Sequence, residues 1–139
     1  MKARIRPLAP CALVWNYSET EPGFAALADA CRAEGLPLIP VSPADTGRTI
    51  SSLCGGPGPA SAPALAGDWP AALIMNGLDR ARLDGFLTRL RAGGVSIPMK
   101  AMVTPTNQSW TLAALLAELE QEQAAFAARA AAKAAQQAQ

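Results

Sequence analysis

Ala12-Leu13-Val14-Trp15-Asn16 decides the fold, because a second stretch, Ala72-Leu73-Ile74-Met75-Asn76, repeats its plan. Each is a short apolar run that closes on asparagine. Neither alternates between apolar and polar residues, so both faces of each strand are expected to be covered. A helical stretch follows each run, with Phe24, Leu27, Ala28 and Cys31 on one face of the first and Leu83, Phe86, Leu87 and Leu90 on one face of the second. Gly35 and Gly93-Gly94 supply the helix stops.

A second strand then follows in each half, Leu36 to Val41 and Ile97 to Val103, ending in the parallel phrases Val41-Ser42-Pro43-Ala44-Asp45 and Val103-Thr104-Pro105-Thr106-Asn107. Both halves enter another helix, near Thr49 and near Thr111. The pattern is an internal βαβα duplication. Pro37, Pro40 and Pro98 push the second and fourth strands to the edges. The expected fold class is therefore α/β, a four-stranded, mostly parallel sheet in order 2-1-3-4 with helices on both faces. A ferredoxin-like α+β arrangement is the alternative.

The 139 residues suit a single domain, and half of them are hydrophobic, enough for a real core. The first half spans 11–54 and the second 71–123. Between them, residues 55–70 are rich in glycine and proline and read as a surface loop. Residues 124–139 are mostly alanine and glutamine and read as a helical tail that frays or projects, or else pairs in an oligomer. The last helix starts at Thr111 as its cap, with Trp110 and Leu115 as a hydrophobic staple. Leu112, Leu115, Leu116, Leu119 and Phe126 form its packing stripe.

Charge is balanced, with 12 Lys+Arg against 11 Asp+Glu, which argues against a nucleic-acid partner. No run of residues is long and apolar enough to span a bilayer, so no membrane partner is expected. The residues before Cys11 lack the apolar core of a signal peptide. The expectation is a soluble, cytoplasmic protein with reduced thiols. Without histidine, imidazole metal sites and proton relays are excluded, and no metal site or cofactor is expected. The three cysteines form no metal-ligand spacing. Cys11 and Cys31 read as buried small hydrophobes, and Cys54 as the most accessible of the three and the one candidate for redox or catalytic work.

In an open parallel sheet, ligands sit beyond the carboxyl ends of the strands where the order reverses. That reading gathers Asn16, Ser18, Asn76, Thr104, Thr106 and Asn107 at one polar, mostly neutral rim as candidate ligand contacts. Such residues also commonly satisfy local backbone groups. No residue is assigned a catalytic role. Lys100 reads as a guard against edge pairing. The leading expectation is a non-catalytic domain that binds or senses a small polar or anionic ligand. A protein-interaction module or homodimer, through an edge strand or the last helix, is the alternative. An enzyme ranks last, since no carboxylate pair or nucleophile motif is in view.

The segment Met99-Lys100-Ala101-Met102-Val103-Thr104-Pro105-Thr106-Asn107-Gln108-Ser109-Trp110-Thr111-Leu112 resembles a small bacterial family of uncharacterised proteins, a domain of unknown function. Members carry a Lys-Ala-x-x-Thr-Pro-Thr-Asn-x-x-Trp-Thr-Leu phrase before a closing helix. The resemblance strengthens the fold reading and brings no activity, cofactor or site residue with it.

Overall fold

The computed structural model describes residues 10–55 and 69–137. The chain runs β1 (Cys11–Trp15), α1 (Phe24–Ala33), β2 (Leu38–Val41), a 3₁₀ turn at Pro43–Asp45 and α2 (Ile50–Leu53). It then repeats that order as β3 (Ala72–Asn76), α3 (Arg80–Ala92), β4 (Met99–Met102), a 3₁₀ turn at Asn107–Ser109 and α4 (Leu112–Gln137). Most of the expected Gly/Pro loop, 56–68, lies outside the described residues, as do the first nine residues and the last two.

The sheet order is β2-β1-β3-β4, as the strand chemistry predicts. β1 pairs parallel with β2, and β3 parallel with β4. The central pair departs from an all-parallel sheet, because β1 and β3 run antiparallel, with Cys11 opposite Asn76 and Trp15 opposite Ala72. Each helical crossover forces its own two strands to run parallel. The connection between the halves carries no such constraint, and apolar content reports burial without direction.

Along β1, Cys11, Leu13 and Trp15 enter a core with Ile50, Leu112 and Leu116, so α2 and α4 cover that face. Ala12 and Val14 enter a second core with Leu27, Phe86 and Leu90, under α1 and α3. Leu13, Ile74, Leu73 and Val14 are at most 1% exposed, which explains the unbroken apolar runs. Helices on both faces rule out the ferredoxin-like alternative, in which one face of the sheet is left bare.

The halves meet again outside the sheet. The Ile50 N–H donates to the Trp110 carbonyl and the Leu112 N–H to the Arg48 carbonyl, both at 2.9 Å, around an antiparallel bridge of Thr49 and Thr111. Thr49 Oγ1 accepts from the Ser52 N–H and Thr111 Oγ1 from the Ala114 N–H, each at 3.2 Å, so both threonines cap their helices. On the opposite face, Arg82 donates to the Glu34 carboxylate at 3.2 Å and also to the Glu34 carbonyl, tying the start of α3 to the end of α1.

Of the stripe expected on α4, Leu112, Leu115, Leu116 and Leu119 are buried, whereas Phe126 is 69% exposed. The helix outruns the sheet, and from Glu120 through Gln136 every residue is exposed.

Candidate functional site

The antiparallel centre splits the expected rim in two. Asn16 follows Trp15 at one end of the sheet, while Asn76 lies opposite Cys11 at the other. Five residue steps separate them along the strands, about 17 Å at roughly 3.3–3.4 Å per residue. Asn16, Ser18 and Ser42 share one rim, because β1 and β2 are parallel. Asn76, Thr104, Thr106 and Asn107 share the other, beyond β3 and β4. A single site built from all six is therefore not formed.

At the second rim, local structure absorbs the polar groups. Asn107 is 9% exposed. Its Oδ1 accepts from the Thr104 N–H at 2.8 Å, its Nδ2 donates to the Met102 carbonyl at 3.0 Å, and its own N–H donates to Thr104 Oγ1 at 3.0 Å. This closes the turn after β4. At the corresponding turn after β2, the Ser42 N–H donates to Asp45 Oδ2 at 2.9 Å. Asn76 belongs to the central ladder. Thr104, Thr106 and Asn107 border a shallow hollow of about 270 Å³ under α4.

The first rim opens into a cleft of about 450 Å³ between the loop after β1, the end of β2 and Trp69. Half-buried Trp69 supplies aromatic surface, and Trp15 and Tyr17 close the floor from the two cores at 5% and 9% exposure. Asn16, Ser18 and Ser42 supply polar groups, and Glu21 supplies a carboxylate. The Trp15 and Trp69 rings meet edge to face, with centroids 6.0 Å apart at 64°. Trp15 Nε1 and Asn16 Nδ2 both donate to the Trp69 carbonyl, at 3.4 and 3.2 Å, anchoring that residue over the cleft. Asn16 holds a φ of 55°, a left-handed conformation that asparagine tolerates better than most residues. Ser18 Oγ lies 2.7 Å from Thr20 Oγ1. The described residues that line the cleft include no cation.

Sequence reasoning passed over Trp69. Its signal was a large aromatic residue at the end of a Gly/Pro-rich stretch, which usually marks a loop that returns to pack. At the opposite rim, Pro10 occupies the comparable place. A Cβ on Gly77 would lie 2.8 Å from the Pro10 Cα and ring. Gly77, with φ of 88°, is the backbone counterpart of Asn16, although the sequence phrases align Asn16 with Asn76.

Cys54 is 4% exposed, which overturns the expectation of an accessible thiol. Its S–H is hydrogen-bonded to Cys11, and this bond, with burial and the charge Cys11 would carry, pushes the Cys54 thiol far above its ordinary value. The same bond lowers the Cys11 thiol. Burial raises Cys31 to about 11. Among the described residues no cluster of three or more Cys, Asp or Glu could hold a metal ion. Among them, no helix is long and apolar enough to cross a membrane.

Residues 71–126 match the model of a family described as a domain of unknown function (DUF3783). The match covers β3, α3, β4 and the first part of α4. No curated protein and no solved structure matches the chain.

Proposed function

We propose that the protein is a non-catalytic, cytoplasmic α/β binding domain whose ligand is a small, flat, polar molecule seated against Trp69 at the β1–β2 rim. The observation that carries this reading is the cleft at the β1–β2 rim, whose volume of about 450 Å³ suits a small molecule. The half-buried Trp69 ring favours a planar ligand through stacking. Asn16 and Ser18 stand at the mouth to fix its orientation. Glu21 and the absence of a described lining cation favour a neutral or cationic ligand over an anionic one. Thr104, Thr106 and Asn107 act in this reading as fixtures of the opposite turn. Descent of the two halves from one duplicated βαβα unit is supported by their repeated element order and their reciprocal bridge at Thr49 and Thr111.

Fluorescence tests the reading. A Trp110→Phe background leaves Trp15 and Trp69 as the reporters, since the chain has three tryptophans. Titration with adenosine and nicotinamide is expected to change emission saturably, and nicotinate to bind more weakly than nicotinamide. Adding Trp69→Ala should abolish saturation. No response to any of these probes, or a preference for the anion, would overturn the assignment.

A further inference from the structure

We infer that α4 is the dimerisation element of this protein, pairing antiparallel with α4 of a second copy across a two-fold axis between Ala125 and Phe126. From Glu120 through Gln136 the helix is exposed, and Phe126, the one large hydrophobic residue exposed among those described, sits within that stretch. The charges decide the occupant. Glu118 and Glu122 stand four apart, as do Arg129 and Lys133, and like charges at that spacing disfavour an isolated helix. None of the ion pairs formed among the described residues uses any of these four side chains.

A second antiparallel copy turns both liabilities into attractions. With the axis between Ala125 and Phe126, Glu118 faces the other copy's Lys133, Glu122 faces its Arg129, and the reverse pairs complete the set. At about 100° per residue, Glu118, Glu122, Ala125, Phe126, Arg129 and Lys133 fall within an arc of about 100°. All six are exposed, and the hollows that all but Lys133 border beside Pro98, Met99 and Lys100 leave room along the helix for a partner. A small residue and one aromatic occupy the axis, letting the helices approach closely. The interface is isologous, as a C2 dimer requires.

Sedimentation velocity of the full chain at low salt tests the inference. The wild type is expected to dimerise and to dissociate progressively as salt is raised. Glu118→Lys with Glu122→Lys makes the face wholly basic, and Arg129→Glu with Lys133→Glu makes it wholly acidic. Each double variant should dimerise about tenfold or more weaker, given four exposed ion pairs replaced by repulsions. An equimolar mixture of the two should form a heterodimer tighter than either alone, a recovery that misfolding cannot imitate. A wild type that stays monomeric at sub-millimolar concentration, double variants that dimerise like wild type, or a mixture without heterodimer would each overturn the assignment.

Discussion

Gly77 offers a quantitative test of how the rims are built, because its neighbours and its backbone act on a substitution separately. Gly77→Ala places a Cβ 2.8 Å from Pro10 Cα, Cβ and Cγ, at a residue with φ of 88°. Gly35→Ala is the reference, since Gly35 has φ of 66° and nothing within 4 Å of its Cβ position. Left-handed alanine costs roughly 1–2 kcal/mol, of which ~0.4–1 kcal/mol is offset by a less flexible unfolded chain. Gly35→Ala should therefore cost about 1 kcal/mol. Gly77→Ala adds an overpacking cost of about 1–3 kcal/mol, since a proline ring and its backbone cannot swing aside. The total is about 2–4 kcal/mol. In urea, with a slope of about 2 kcal/mol/M, the midpoint should fall by about 1–2 M for Gly77→Ala and about 0.5 M for Gly35→Ala. Combining Gly77→Ala with Pro10→Gly should recover part of the loss. Equal midpoint shifts for the two alanines would refute the packing of Pro10 on Gly77.

Three further outcomes follow from burial. Leu116→Ala and Phe86→Ala each empty a site 0% exposed, one in each core. Each should cost about 2–5 kcal/mol in urea unfolding, because both faces of the sheet are load carriers of similar depth; a loss confined to one variant would show that one helical layer is dispensable. Cys31 is raised from 9.0 to about 11 in the folded protein, so the unfolded chain releases its proton first. The Cys31 contribution is thus flat below pH 9 and destabilises the fold as pH climbs from 9.0 toward about 11. Midpoints measured across that range should decline, and Cys31→Ala should flatten the decline. Native-state alkylation at pH 8 should spare Cys31 and Cys54, and rapid labelling of either would contradict their burial.

What could be read beforehand divides along physical lines. Unbroken apolar runs at Leu13–Trp15 and Leu73–Met75 report burial on two faces, and the prolines mark edges, so order and layering were legible. Strand direction was not, because hydrophobicity is the same whichever way a strand runs. That one missing sign relocated Asn76 from the side of Asn16 to the far end of the sheet. The cleft was half legible. Asn16 and Ser18 were identified by position, whereas Trp69 reaches the cleft only through the return of a long connection. Phe126 fits the spacing of the packing stripe, but periodicity cannot tell where the sheet beneath a helix ends. Cys54 looked open beside Gly55, yet its one-turn helix folds it onto Cys11.

The antiparallel ladder between β1 and β3 also makes this chain divisible. Each βαβα half is locally wound, and what joins them in the sheet is a seam of five residue pairs between strands apolar on both faces. Separated fragments 10–55 and 69–137 would each expose that seam as an open backbone edge, and each seam is shaped to accept the other. Such pieces have the design of a split protein, in which strand addition across the cut restores the whole. Fused to the halves of a reporter, they would reassemble through β1 and β3 and restore its signal, and changes in the seam would tune that recovery.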